Sequence, residues 1–286
     1  TEAKFELYGN RLVFKHNGSR HFSVSNPDTE EADTENGVLG DINAITSIAN
    51  SNKTSAEIGK FGVGFKSVFQ YTTTPKIYDP NFRFYIDRFI VPVQIEDDYE
   101  KRLPNETIFI FPFNHPQKTA EIAYCDIEKK LKTLKYPILF LSNLKYVSLE
   151  FSDTLGLYGK NIDENKSFKE NGITAELIKL THNIGDDLID QNLWLFSREY
   201  LISEKHSAKY SVGYFIGDDG KLKPVNEQAF CFFPTKELTN LNFIVHAPFL
   251  LTDSRECIKA GEQHNKDMIK LLADLAADSL LLLKKI

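Results

Sequence analysis

The chain reads Ile58-Gly59-Lys60-Phe61-Gly62-Val63-Gly64-Phe65-Lys66-Ser67-Val68-Phe69 at the point that decides its fold. Three glycines stand at the spacing G-x-x-G-x-G, and an amphipathic helical pattern begins inside the last repeat. Glycine adopts positive φ readily and lets another group approach the backbone closely. Backbone N–H groups at the start of a helix attract anions, because the peptide dipoles point toward the ligand. The stretch therefore predicts a loop that holds phosphate groups.

Other glycine-rich turns compete with this interpretation. Taken alone, the spacing fits a helix cap or a tight packing corner equally well. A P-loop is excluded, because G-x-x-x-x-G-K-[ST] does not occur in the chain. A dinucleotide-binding fold is disfavoured, since it needs a strand directly before the first glycine and residues 50–57 are polar.

The segments upstream of the glycines sharpen the prediction. Alternating apolar residues predict a β-hairpin over residues 5–8 and 11–15, with its turn at Gly9-Asn10. The second strand leads into His16-Asn17-Gly18. A polar loop and an apolar helical pattern, over residues 25–36 and 42–48, then lead to the glycines.

This order of segments resembles the GHKL superfamily of ATPases, which share the Bergerat nucleotide-binding fold. The ninety-kilodalton heat-shock chaperones and the sacsin-type ATP-binding domains look most similar, because residues 45–51 and 58–65 resemble their lid-flanking and glycine-box segments. A further likeness to the chaperone middle domain, at its L-x-x-S-R-E segment, lies in Pro248-Phe249-Leu250-Leu251-Thr252-Asp253-Ser254-Arg255-Glu256. The resemblance covers most of the chain at the level of fold, whereas its specific motifs occupy a small part.

The resemblance implies an α/β (α+β) fold. A Bergerat-type sandwich of a mixed, largely antiparallel sheet with helices on one face is followed by a second strand-rich α/β domain. We place the nucleotide-binding domain at residues 1–116 and the middle-domain-like region at residues 117–286. Apolar periodicity predicts strands at residues 75–78, 82–87, 89–94, 107–113, 144–151, 173–181, 193–200, 208–217, 229–233 and 241–247, and helices at residues 119–135, 254–261 and 263–284.

Composition narrows the class of protein. The 286 residues are enough for two domains, and a net charge of -6 argues against a broad basic surface for nucleic acid. Cys125, Cys231 and Cys257 match no C-x-x-C or metal-ligand spacing, so we expect buried thiols in a reducing compartment. No signal peptide or membrane-length apolar run occurs, and we therefore predict a cytoplasmic protein without a membrane partner.

The resemblance also implies which residues bind the adenine base. His16-Asn17-Gly18 stands where the family has Asp-x-Gly, whose aspartate accepts a hydrogen bond from the adenine amino group. His16 departs from that pattern, but a neutral imidazole accepts one hydrogen bond and the amide of Asn17 offers a donor and an acceptor. Thr107 resembles the threonine of the family's G-T-x-I strand entry, with Glu106 in place of the glycine. A plain Asn-Gly turn and an ordinary strand threonine are the alternatives.

Phosphate and ribose contacts are implied around the glycines. Gly59, Gly62 and Gly64 shape the loop, while Lys60 and Lys66 flank it as point charges that either pair with phosphate or remain solvated. The apolar residues Phe61, Val63 and Phe65 are expected to alternate between packing their side chains inward and presenting their backbone N–H groups. The polar residues Ser51, Asn52 and Lys53 end the loop that covers the nucleotide in the related proteins.

Catalysis is implied at Arg255 in the second region. The matching chaperone arginine reaches the γ-phosphate, and a guanidinium binds phosphate bidentately and offsets transition-state charge. An ion pair with Asp253 or Glu256 is the alternative. The family's glutamine one turn further on is missing, because Lys259-Ala260 occupies that place.

The family's first helix, which carries E-x-x-x-N, has no counterpart before His16. Its glutamate is the general base and its asparagine helps to hold Mg²⁺, so no metal ligand is assigned in this chain. Because the first strand follows Thr1 almost directly and residues 280–283 are apolar at the other end, we expect a piece of a longer protein.

Two hypotheses follow. The first is the ATP-binding module of a chaperone-like GHKL ATPase, binding ATP or ADP with Mg²⁺, hydrolysing slowly, changing its domain angle and acting on protein clients, with homodimerisation through regions outside this chain. The second is a non-enzymatic nucleotide-binding or degenerate scaffold for protein partners, favoured by the departures at His16 and beyond Arg255. A mismatch-repair-like or topoisomerase-like ATPase is disfavoured by the acidic balance, and a histidine kinase by the absence of a phosphoacceptor helix.

Overall fold

A computed structural model describes residues 1–47, 64–152, 154–203, 206–252, 254 and 256–286. These residues form a mixed α/β structure with many strands and few helices, which confirms the α+β class. They fall into two compact units. Unit 1 comprises Thr1–Leu134, Asn143–Leu157 and Ile184–Asp186, and unit 2 comprises Lys135–Ser142, Tyr158–Asn183 and Asp187–Ile286.

Unit 1 contains a mixed sheet built around the predicted hairpin. The strands are β1 (Glu2–Tyr8), β2 (Arg11–His16), β3 (Lys76–Tyr78), β4 (Arg83–Asp87), β5 (Val91–Gln94), β6 (Thr107–Pro112) and β7 (Tyr146–Phe151). They lie in the order β7-β1-β2-β6-β3-β4-β5. Only β7 runs parallel to its neighbour β1, and the remaining pairs of this series are antiparallel.

Unit 1 also contains short helices among its described residues. They are α1 (Glu30–Glu35), α2 (Asp41–Thr46), a 3₁₀ helix (Phe65–Gln70) and α3 (Ala120–Lys132). Ile42 and Ile45 of α2 and Phe65 of the 3₁₀ helix pack against Ile77 and Phe84 of the sheet. The segment after the glycines is therefore helical as predicted, although its described part is of the tighter 3₁₀ type. Helix α3 begins after Thr119, whose hydroxyl oxygen accepts a hydrogen bond from the Ile122 N–H.

Unit 2 contains a series of paired strands and one long helix. Its elements are β8 (Thr154–Glu170), β9 (Ile173–Ile184), β10 (Asp187–Ser203), β11 (His206–Ile216), β12 (Leu222–Lys223), β13 (Gln228–Cys231), β14 (Phe233–Leu238), β15 (Ile244–His246) and α4 (Gln263–Leu283). The first four residues of β8 and the last residue of β9 belong to unit 1. The sheet order is β14-β13-β15-β11-β10-β9-β8, with β12 beside β11. Helix α4 buries Met268 and Leu275 against one face, on a core that includes Phe196 and Val212. Side chains alternate between the two faces along each strand, so the other face carries a separate core. Leu139, from outside the strands, packs into that core.

The observed division differs from the expected boundary at residue 116. Helix α3 and strand β7 belong to unit 1, because β7 extends the unit 1 sheet through its parallel pairing with β1. The expected helix over residues 254–261 is wrong for the described residues there, which form turns and a bridge between Leu251 and Ile258. Cys125 is exposed, in contrast to the buried thiol that we expected. In the described ranges, no helix combines the length and apolarity needed to cross a bilayer.

Candidate functional site

The predicted nucleotide residues divide into two sets. Seven of them lie in described parts of unit 1, namely His16, Asn17, Gly18, Gly64, Phe65, Lys66 and Thr107. The others lie outside the described residues, namely Ser51, Asn52, Lys53, Gly59, Lys60, Phe61, Gly62, Val63 and Arg255. The site is therefore built from the first set and from its neighbours in unit 1.

The two residues expected at the base lie side by side. His16, the last residue of β2, is the direct cross-strand partner of Thr107, the first residue of β6. Residues directly opposite each other on paired strands bring their side chains to the same face of the sheet. Two positions 91 residues apart in sequence thus meet where β2 ends and β6 begins.

A buried carboxylate supports this pair. The Thr107 hydroxyl donates a hydrogen bond to Asp79 Oδ2 at 2.6 Å, and both side chains are about 1% exposed. Asp79 Oδ1 accepts from the backbone N–H groups of Phe22 at 3.2 Å and Asn81 at 3.0 Å. His21 Nδ1 lies 3.5 Å from Asp79 Oδ2. These contacts engage both oxygens of Asp79, which therefore positions Thr107 and the loop at Phe22.

Asp79 and His21 were missed by the sequence reasoning. Asp79-Pro80-Asn81 was expected only as a turn, and the Asn81 N–H bond to Asp79 Oδ1 is the hydrogen bond of such a turn. The second oxygen's contact with Thr107 joins residues 28 positions apart, which no local pattern encodes. An aspartate directly after a buried strand was the one available signal.

The hydrogen bond that His16 accepts determines which of its ring nitrogens is a donor and which is an acceptor. Its Nδ1 accepts from the Gly18 backbone N–H at 3.2 Å, so the neutral ring carries its proton on Nε2. Burial lowers the pKa of His16, while Asp79 opposes that shift and His21 adds to it. The imidazole is therefore neutral and presents a donor at Nε2, which has no hydrogen-bond partner among the described residues.

Thr107, in contrast to His16, presents a hydrogen-bond acceptor. Because its hydroxyl proton is directed to Asp79, the oxygen has only lone pairs left for a further contact. A donor at His16 and an acceptor at Thr107 therefore lie next to each other. Such a pair is complementary to a purine edge that places an acceptor beside a donor, as adenine does at N1 and its 6-amino group and guanine does at O6 and N1–H.

Asn17 and Gly18 have structural roles in the described site. Asn17 Oδ1 accepts from the Glu2 backbone N–H at 2.8 Å, which ties the start of β1 to the end of β2. The acceptor that we expected Asn17 to offer a base is thus already engaged. Gly18 approaches the imidazole closely, since a Cβ at this position would lie 3.2 Å from His16 Nδ1.

One aromatic ring links the base-side residues to the glycine segment. Phe109 of β6 has its ring centroid 6.1 Å from that of His16 and 6.3 Å from that of Phe65, which directly follows Gly64. Phe22 contacts the same ring at 6.0 Å. The structure therefore brings together His16, Thr107 and the end of the glycine segment around a common aromatic core.

Lys66 is placed differently from the expectation. Its ammonium group donates to the Phe89 carbonyl oxygen at 2.6 Å and lies 5.7 Å from the centre of the Phe69 ring. Burial lowers the pKa of Lys66. In this conformation Lys66 holds the turn before β5, so a phosphate contact would require it to leave that carbonyl.

Comparison with known proteins gives one distant similarity. No protein-family model matches the chain. Protein NO VEIN of Arabidopsis thaliana is 24% identical over 281 residues, an alignment that covers 84% of this chain and 9% of that protein. The chain spans about a tenth of the length of this relative.

Proposed function

We propose that unit 1 is the adenine-nucleotide-binding part of a Bergerat-type GHKL module. The donor at His16 Nε2 and the acceptor at Thr107 Oγ1, held by Asp79, carry the proposal. The glycine segment that ends one phenyl ring away supplies the expected phosphate contacts. In this proposal the imidazole donates a hydrogen bond to adenine and the threonine oxygen accepts one. In the GHKL family, by contrast, the residue at the position of His16 is an aspartate that accepts.

We further propose slow Mg²⁺-dependent hydrolysis of ATP coupled to a change in domain angle, with Arg255 as the residue that contacts the γ-phosphate. Protein clients or partners would respond to that change. The alternative is a nucleotide-binding scaffold without hydrolysis. The engagement of Lys66 by the Phe89 carbonyl and the imidazole in place of a carboxylate favour this alternative.

Calorimetric titration with ATP, ADP and GTP, each with and without Mg²⁺, tests the proposal. We expect His16→Phe and Thr107→Val each to weaken ATP binding by about tenfold, because each removes one hydrogen bond from a partly buried site. Thr107→Ser retains the hydroxyl and should retain most of the affinity.

His115→Phe is the matched control, because His115 Nδ1 also accepts a backbone N–H from two residues further on, yet it lies outside the site. It should bind ATP like the unaltered chain. Binding of GTP as tight as that of ATP, or full affinity in His16→Phe, would contradict the assignment of the base site.

A further inference from the structure

A polar cavity of about 170 Å³ lies in unit 2, on the face of the strands that is opposite to α4. Five strands each contribute a polar side chain to it, and residues 139–142 line its other side. These side chains are Lys160 on β8, Glu176 on β9, Ser197 on β10, Ser211 on β11 and His246 on β15, and β11 adds Lys209 as a second one. The apolar core of the same face, around Leu195 and Ile244, adjoins this polar row.

Strand register places three of these residues in direct succession. Ser197 is the cross-strand partner of Ser211, and Ser211 is that of His246. The two buried hydroxyl oxygens lie 2.8 Å apart and share one hydrogen bond. One proton of the pair therefore remains for a further acceptor.

His246 lacks hydrogen-bond partners in the described structure. Its side chain is buried, and neither Nδ1 nor Nε2 is engaged by a described residue. The ring stacks on Phe140 with centroids 4.3 Å apart, and burial lowers its pKa to about 3. A neutral imidazole offers one donor and one acceptor, and buried polar groups are almost always satisfied. His246 therefore brings unpaired hydrogen-bonding capacity to the wall of the cavity.

The charged groups leave the cavity with one positive charge in excess. Lys160 and Lys209 contribute ammonium groups, and Glu176 contributes a carboxylate. The Lys160 ammonium donates to the carbonyl oxygens of Leu139 and Leu141. Burial lowers the pKa of Lys160, Glu176 opposes this shift and Lys209 adds to it, which places the three charges within mutual influence. A ligand with one negative charge would neutralise the site.

We propose that this cavity binds a small hydroxy- or oxocarboxylate. Its carboxylate accepts hydrogen bonds from Lys209 and the serine pair, and its second oxygen function satisfies His246. A ligand of about six to eight non-hydrogen atoms fits, because a cavity of roughly 150 Å³ accepts benzene. The site lies wholly in unit 2 and is independent of the nucleotide site proposed above.

The test follows the ring-nitrogen NMR signals of His246 in the full chain during titration with lactate. Propane-1,2-diol serves as the neutral probe of similar size, and inorganic phosphate as an anion without a carboxylate. We expect a saturable shift with lactate and none with the diol. A lactate titration that does not saturate, an equal response to the diol, or a response to phosphate alone would overturn the proposal.

Variants locate the anion within the cavity. Lys209→Met should weaken lactate binding by about tenfold, because a charge-assisted hydrogen bond is lost, and Ser211→Ala should weaken it by about fivefold. Lys223→Met is the matched control, since Lys223 is also an exposed strand lysine of unit 2 but does not line the cavity. Unchanged affinity in Lys209→Met would overturn the assignment of the carboxylate.

Discussion

Two histidines illustrate how different hydrogen bonding gives one residue type different functions. Burial lowers the pKa of both His16 and His246, so both rings are neutral at physiological pH. The Gly18 N–H fixes the tautomer of His16 and leaves a donor at Nε2. His246 has no such contact among the described residues, so its tautomer depends on what occupies the cavity. Among the described residues, polarity is therefore fixed at His16, whereas no contact fixes it at His246.

The buried His246 should make unit 2 sensitive to acid. In the unfolded chain this histidine takes up a proton near its ordinary pKa of 6.5, whereas in the folded chain it does so only near 3. Since the unfolded state binds more protons between these values, the free energy of unfolding decreases as pH falls through this window. When the pH falls from about 7.5 to about 5.5, the free energy of unfolding should decrease in both proteins. The decrease should be about 1.4 kcal/mol smaller in His246→Phe than in the unaltered chain.

Urea unfolding followed by fluorescence of Trp194, the single tryptophan, measures this because Trp194 lies in the unit 2 core. His115→Phe makes the same substitution at a partly exposed histidine of unit 1 and serves as the control for the loss of an imidazole. Parallel pH profiles for His246→Phe and the unaltered chain would show that His246 does not titrate as described.

At the scale of elements, α2 is held against the sheet by a close backbone approach. Gly40 precedes α2, and its N–H donates to Ser25 Oγ at 2.8 Å. A Cβ at Gly40 would lie 2.3 Å from the Ser25 backbone nitrogen and 2.6 Å from the Val24 carbonyl carbon. Because these are backbone atoms, they cannot turn aside as a flexible side chain does.

Gly40→Ala should therefore destabilise the packing of α2 by about 1–3 kcal/mol, the usual cost of overpacking. Hydrogen exchange of the β3 and β4 amides reports this, since Ile42 and Ile45 pack on those strands. Gly9→Ala is the control, because a Cβ there meets nothing within 4 Å, and it should change stability by less than about 0.5 kcal/mol. Similar protection factors in the two variants would contradict the close approach at Gly40.

At the scale of the whole molecule, unit 1 draws on separate parts of the chain. Its sheet includes β7, which lies far along the chain from β1 and pairs with it in parallel. Parallel neighbours always need such a crossover connection, because a tight turn can join only antiparallel strands. Leu149 of β7 lies opposite Phe5 and is 1% exposed. The stability of β1 therefore depends on a residue beyond the boundary expected at residue 116.

Leu149→Ala should destabilise unit 1 by about 2–5 kcal/mol, because it leaves a cavity in a buried core. Loss of hydrogen-exchange protection at the β1 amides measures this effect. Leu155→Ala makes the same substitution in unit 1 at a side chain that is 70% exposed, and it should cost less than about 0.5 kcal/mol. Equal protection of β1 in both variants would show that β7 does not support the unit 1 sheet.

Local patterns in the sequence were sufficient to predict many of the helices and strands. The hairpin of β1 and β2 follows from alternation around Gly9-Asn10, and α4 follows from apolar residues at the helical period. Strand β8 was missed because most of it is polar and partly exposed, so it lacks a clear apolar alternation. The expected helix over residues 254–261 was wrong because a short amphipathic stretch is compatible with several backbone forms.

By itself, the sequence determined the α+β class, the hairpin and the positions of His16 and Thr107 at strand ends. Only the tertiary structure decided that Asp79 supports Thr107, that Lys66 contacts Phe89, and that Ser197, Ser211 and His246 form one row. The reason is physical. Periodicity and turn residues encode local backbone form, whereas strand register and buried hydrogen bonds arise when segments far apart in the chain pack together.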